Sequence, residues 1–178
     1  MSTSLLAQLH PSPQQLNDRS TSPSPDGRKV FAGSTKDNAG ELLVMDAASR
    51  RVVSTIPLSD LVDRMAFAAD GRYLYVAGSS GLTVVDPQQL VVMRSFVLDS
   101  NPWDVAVSPS GDRAYVTYQL DDALGEIDLQ TGRTVAVIKV GRLPQDLALS
   151  PAGDTAYVTD SGSGTVSVVA IGATPVSG

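Results

Sequence analysis

Four copies of one short pattern follow each other along this chain of 178 residues, and that repetition limits the fold more than any other feature. A turn recurs as Pro25-Asp26-Gly27, Ala69-Asp70-Gly71, Pro109-Ser110-Gly111 and Pro151-Ala152-Gly153. Its glycines, Gly27, Gly71, Gly111 and Gly153, lie 44, 40 and 42 residues apart. Four residues after each stands an aromatic: Phe31, Tyr75, Tyr115 and Tyr157. Before three of the turns a large-small-large triplet recurs, as Met65-Ala66-Phe67, Val105-Ala106-Val107 and Leu147-Ala148-Leu149. Asp46, Asp86 and Asp128 close a third recurring stretch. A period near 42 residues means one supersecondary unit, copied and stacked on itself.

The third copy gives the clearest internal pattern. It predicts four strands, at 102–108, 112–118, 123–128 and 133–140, each short, rich in β-branched residues and bounded by turn residues. In the first, alternation sets Val105 and Val107 on one face and Ala106 on the other. Pro109 suits the second position of a tight turn, and Gly111 suits a position with positive φ. Asp128 opens a hairpin turn in which its carboxylate caps the backbone, as Asp46 and Asp86 do in their copies. No 3.6-residue period is sustained over 12 residues, so no helix competes. Four-stranded units every 40–45 residues define an all-β fold, a β-propeller of about four blades. The units fall at 24–61, 62–101, 102–143 and 144–178, after a Ser/Pro-rich leader, 1–23, read as flexible. In the first copy the Ser20–Pro23 stretch lacks the apolar strand of its counterparts. The fourth copy carries a third strand at Thr165–Ile171 and no fourth, and Leu5–His10 is a candidate closing strand. The arrangement expected is a partial or half propeller that pairs or continues, as against a closed four-bladed ring. Tyr115 is expected at the core, and its loss is expected to cost far more than the loss of Tyr118.

Composition removes several functions. The net charge of −6 and a pI near 4.6 disfavour a phosphate backbone as partner. No apolar run approaches the roughly 20 residues of a bilayer-spanning helix, and the start has no basic segment followed by an apolar one, so no signal peptide is read. There is no cysteine and a single histidine, His10. Disulfides, thiolate chemistry and sites needing several imidazoles are therefore excluded. No GxSxG, HExxH, P-loop or GxGxxG pattern occurs.

The stretch Pro102-Trp103-Asp104-Val105-Ala106-Val107-Ser108-Pro109, followed by Gly111-Asp112-Arg113-Ala114-Tyr115-Val116-Thr117, resembles the YVTN-type β-propeller repeat. Pro144–Pro151 with Gly153-Asp154-Thr155-Ala156-Tyr157-Val158-Thr159 is similar to it again. The copy between Arg64 and Tyr75 is looser, and the resemblance covers about residues 24–171. It implies a bacterial or archaeal, often extracytoplasmic or surface protein, with a WD40-like repeat period and a scaffold function. It also implies kinship with lactonase-like enzymes and redox-associated seven-bladed propellers.

Asp104 and Asp146 precede the innermost strands of their copies, and Arg64 holds the same position in the second. Innermost strands begin at a mouth of the central channel. Arg64, Trp103, Asp104 and Asp146 are therefore the candidate binding residues, set against a local role in which each Asp bonds nearby N–H groups. Asp121-Asp122 and the Asp160–Gly164 stretch hint at a divalent cation but match no calcium-loop pattern. The expected function is a non-enzymatic scaffold for a protein or surface glycan, without catalytic residues, bound metal or cofactor, and forming a homodimer that completes a larger propeller. The alternative is a fragment of a lactonase-like or redox-associated enzyme using a channel carboxylate and a divalent metal.

Overall fold

The computed structural model of the chain describes residues 15–36 and 39–172; Leu5–His10 lies outside the described residues. The first sheet comprises β1 (Gln15–Pro23), β2 (Lys29–Lys36), β3 (Ala39–Asp46) and β4 (Arg51–Pro57). The second comprises β5 (Arg64–Phe67), β6 (Leu74–Gly78), β7 (Gly81–Asp86) and β8 (Val91–Val97). The third comprises β9 (Asp104–Val107), β10 (Arg113–Tyr118), β11 (Ala123–Asp128) and β12 (Thr134–Lys139). The fourth has three strands, β13 (Pro144–Leu149), β14 (Thr155–Asp160) and β15 (Thr165–Ala170). Within every sheet the spatial order follows the chain and all pairs are antiparallel. These are the blades of an open β-propeller, with inner strands packed in the succession β1, β5, β9, β13. The one helical piece among the described residues is a 3-10 turn at Gln119–Asp121, and no helix there is long and apolar enough to cross a membrane.

The repeat works as its sequence requires. Gly27, Gly71, Gly111 and Gly153 have φ of 69°, 68°, 76° and 74°, where a side chain is strained. The Gly111 N–H donates to the Ser108 carbonyl at 2.9 Å, which puts Pro109 at the second turn position. Asp46 accepts the Ser49 N–H at 2.7 Å, Asp86 accepts those of Gln88 and Gln89 at 2.8 Å, and Asp128 accepts that of Thr131 at 2.8 Å. These three carboxylates initiate the outer strands β4, β8 and β12. Just beyond each turn the outer pairing slips by one residue, at Val44/Met45, Val84/Val85 and Glu126/Ile127, so even the bulge repeats.

Two expectations need correction. Residues 15–23 do not belong to a leader: they form β1, the inner strand of the first blade, paired with β2 from Gln15↔Thr35 to Pro23↔Val30 across a bulge. Main-chain bonds and blade packing hold this polar strand where its side chains give little signal. Tyr118 is not peripheral either. It is 3% exposed against 1% for Tyr115, because the two lie on opposite faces of β10 and a blade covers each face.

The core is three inter-blade layers. Phe31, Leu42 and Val44 meet Leu74, Val76 and Val85 between blades 1 and 2. Tyr75, Leu82 and Val84 meet Ala114, Val116 and Ile127 between blades 2 and 3. Tyr115 and Leu124 meet Ala156 and Val158 between blades 3 and 4. Opposite each repeat tyrosine the inner strand has alanine, as Ala66↔Tyr75, Ala106↔Tyr115 and Ala148↔Tyr157, which leaves room for the ring near the crowded axis. A tyrosine buried to this degree removes about 150–250 Å² from water, a gross gain of about 4–6 kcal/mol at about 25 cal/mol per Å². Tyr157 breaks the series: among the described residues no further blade packs on it, and it is 45% exposed.

Candidate functional site

Inner strands start at one end of the array, here called upper. The blade-to-blade crossovers and the β6–β7 and β10–β11 connections lie at that end, and the Pro-Xaa-Gly turns at the other. Arg64 begins β5 and Asp104 begins β9, while Asp146 is the third residue of β13, one turn of the pleat further in than a preceding loop. All three hold the same register position: Arg64 pairs with Ala77, Asp104 with Thr117, and Asp146 donates its N–H to the Thr159 hydroxyl at 3.0 Å.

The fold brings these three together. Arg64 Nη2 meets Asp146 Oδ1 at 2.7 Å. Asp104 uses both oxygens: Oδ1 accepts the Val105 N–H and Oδ2 the Leu147 N–H, each at 2.8 Å. Buried Thr117 completes the link, its Oγ1 accepting the Asp104 N–H at 3.1 Å and donating to the Gln145 carbonyl at 3.0 Å. Asp104 and Thr117 thus tie blade 3 to blade 4 at the channel wall. Burial pushes the Asp104 carboxyl above its usual range, against the pull of the Leu147 and Val105 N–H groups and of Arg64. The local bonding weighed for Asp104 from the sequence is present in the geometry. A metal at this spot would have to compete with the Arg64 guanidinium for Asp146. Among the described residues no group of three or more His, Cys, Asp or Glu side chains is placed to hold a metal ion.

Trp103 stands apart from that network. Its N–H donates to the Thr117 carbonyl at 2.8 Å, which fixes its backbone just before β9. Its side chain is half-buried in the wall of a cleft of about 420 Å³ between blades 2 and 3, shared with Asp63, Asp99, Leu120 and Asp121. Its indole Nε1 is buried with no acceptor among the described residues. Burial, and then the neighbouring Asp60 carboxylate, push Asp63 up. Burial also opposes ionisation of Asp60, but the Ser80 hydroxyl and N–H, both at 2.6 Å, outweigh it and hold that carboxyl low. Asp121 accepts from the Ser100 hydroxyl, and Asp122, in a left-handed conformation with φ 51°, accepts the Leu143 N–H at 2.9 Å. Leu120 at the tip is 85% exposed.

The sequence reading missed Asp63, Asp99 and Asp121 as neighbours of Trp103. They lie in different loops, and only the crossovers bring them to one cleft. A signal was present: the crossovers 58–63 and 98–103 carry Asp60, Asp63 and Asp99 and no Lys or Arg. Charge is in fact divided along the axis. At the upper end Asp60, Asp63, Asp99, Asp121, Asp122 and Asp160 outnumber Arg64, Lys139 and Arg142. At the lower end Arg28, Arg50, Arg72, Arg113 and Arg133 stand among the turn aspartates, and Arg113 reaches Asp128 at 2.6 Å and Glu126 at 3.2 Å. Most of the net charge of −6 therefore sits at the upper mouth.

A β-propeller with an acidic upper mouth is the class that this fold and site define. Solved structures agree on the fold. The chain is similar to hydrazine synthase from Kuenenia stuttgartiensis, with a TM-score of 0.77 and 19% identity over 85% of this chain. It is similar also to the β-propeller domain of Cps50 (Swd1) from Myceliophteria thermophila, with a TM-score of 0.73 and 15% identity over 85% of this chain. The chain spans 58% and 53% of the lengths of those two chains. No protein-family model matches the sequence, and no curated protein matches it.

Proposed function

We propose that this chain is a non-enzymatic scaffold, built from YVTN-type repeats, that binds a basic polypeptide segment at its upper mouth. The concentration of unmatched carboxylates there carries the reading, since a field of one sign at a rigid mouth raises the local concentration of the opposite charge and steers its approach. A cationic segment suits this surface better than a neutral glycan. Trp103 supplies the aromatic anchor, with an indole face for an aliphatic stem or a cation. Arg64, Asp104 and Asp146 contribute as the neighbouring frame that ties the second, third and fourth blades together at the same mouth.

Trp103 is the single tryptophan, so its emission reports on the cleft alone. Titration with a lysine-rich peptide is expected to shift that emission to saturation. Raising the salt concentration, or making Asp63→Asn with Asp99→Asn, is expected to weaken binding several-fold. A glutamate-rich peptide of the same length is expected to give no shift. Equal responses to both peptides, or none to the lysine-rich one, would overturn the reading.

A further inference from the structure

A row of paired residues crosses each blade at the level of the repeat aromatic, and its chemistry differs from blade to blade. In the first blade the row is Ser22, Phe31, Val44, Ser54. In the second it is Ala66, Tyr75, Val84, Arg94, and in the third Ala106, Tyr115, Glu126, Ala136. Each of these rows lies on the face that packs on the next blade. Among the described residues only the second row joins a phenol to a guanidinium.

That row opens at the lower end, between blades 2 and 3, onto a cleft of about 560 Å³. Tyr75 lines the cleft although it is 3% exposed, and its hydroxyl has no hydrogen-bond partner among the described residues. Burial pushes the phenol up, and the Arg94 charge draws it back. Arg94 stacks on the Phe96 ring at 4.7 Å and donates to two neutral carbonyls, Leu129 at 2.5 Å and Gln130 at 3.3 Å, so no carboxylate offsets its charge. Arg72 lines the same cleft with its guanidinium 6.0 Å from the Tyr73 ring and with no ion pair among the described residues. Three carboxylates are present too, and nearby donors hold each of them. Asp70 accepts the Arg72 N–H at 2.9 Å, and Asp112 accepts the Ser108 hydroxyl at 3.0 Å and that of Ser110. Asp128 accepts the Gln130 and Thr131 N–H groups at 3.0 and 2.8 Å, and Arg113 at 2.6 Å. The groups left without partners at this cleft are therefore donors.

We propose that this lower cleft binds a single carboxylate group, with Arg72 and Arg94 as its counter-charges and the Tyr75 hydroxyl as a third donor. The group comes from a small organic acid or from an acidic side chain of a peptide. Guanidinium forks match a planar carboxylate, and a hydroxyl held on a buried ring needs little further ordering to donate. A phosphate carries up to about twice the charge and meets correspondingly more repulsion from Asp70, Asp112 and Asp128, so the cleft selects the monoanion. The flanking junctions lack this set. The first has Phe31 in place of Tyr75 and Ser54 in place of Arg94, and Lys29 there donates to the Pro87 carbonyl at 3.0 Å. The third has Ala136 in place of Arg94 and Glu126 in place of Val84, and its Arg113 already meets Glu126 and Asp128. The cleft lies at the opposite end of the array from Trp103, so it stands or falls independently of the acidic upper mouth.

Titration calorimetry on the full chain at neutral pH tests the site with two probes, benzoate and an end-blocked peptide carrying one glutamate. At least one is expected to bind, without a change in Trp103 emission. Binding of benzoate alone assigns a small organic acid, and binding of the peptide assigns an acidic side chain. Tyr75→Phe keeps the ring and removes only the hydroxyl, and Arg72→Ala alters an exposed side chain. Each is expected to weaken binding about tenfold, the loss that goes with one hydrogen bond to a charged group. Arg72→Ala carries the test if Tyr75→Phe does not fold. Inorganic phosphate is expected to bind more weakly than the carboxylate probe. Absence of heat with both probes overturns the site. Undiminished affinity in either folded variant removes that donor from the site and overturns it too, and phosphate bound as tightly as carboxylate overturns the selection of a single charge.

Discussion

Arg64 and Asp146 meet at 2.7 Å although 82 positions separate them, and the pair reaches from the second blade past the third to the fourth. Between them, Asp104 holds the Leu147 N–H and so ties the third blade to the fourth. The side chains of Arg64 and Asp146 are 28% and 60% exposed, so solvent screens their attraction. A double-mutant cycle of Arg64→Ala with Asp146→Ala, read by urea unfolding, is expected to give a coupling of about 0.5–1 kcal/mol. A coupling of zero would mean the pair does not form in solution.

Asp104 should leave a signature in the pH dependence of stability. Burial raises its pKa above the usual 3.8, so the folded state holds this proton more tightly than the unfolded chain does. A group of that kind favours folding most below its unfolded pKa, and the contribution falls as pH rises from there through the folded pKa. Asp104→Asn removes the ionisation and keeps an acceptor for one N–H. The difference in urea midpoint, parent minus variant, measured from pH ~3.5 upward, is expected to decrease over the range just above the ordinary carboxylate pKa. Parallel curves would show that Asp104 titrates normally.

Tyr115 and Tyr118 are expected to matter alike. Both are buried, one toward the fourth blade and one toward the second. Truncation of either to alanine is expected to cost about 3–5 kcal/mol in urea unfolding, in the range of large aromatic deletions. A Tyr118→Ala cost below about 1 kcal/mol, typical of a surface change, would contradict its burial.

Gly125 has its own test. A Cβ at this position would stand 2.5 Å from the Tyr118 ring, which leaves no room for a methyl group. Gly125→Ala is expected to destabilise by about 1–3 kcal/mol through overpacking. In a Tyr118→Ala background the same change is expected to be close to neutral, and a full additive loss there would refute the contact.

The division between what the sequence reveals and what it hides follows from range. In the third copy the predicted strands 102–108, 112–118, 123–128 and 133–140 enclose or closely match β9 to β12, because alternation and turn residues act over a few positions. β1 escaped notice because Gln15–Pro23 is polar, bulged and ends in proline, so pairing with β2 decides its state and its side chains do not. Tyr118 was misplaced because alternation says only that it opposes Tyr115, and not that both faces of the sheet are covered.

By itself, the order of residues determined the module, its turns, its period and the inner position shared by Arg64, Asp104 and Asp146, since each depends on contacts within about forty residues. Only the tertiary structure decided that Asp146 receives Arg64, that Asp63, Asp99 and Asp121 gather around Trp103, and that Tyr157 is left uncovered. Those relations depend on how one blade is rotated against the next. That rotation comes from strand twist and from the packing of whole sheet faces, which no short stretch of sequence encodes.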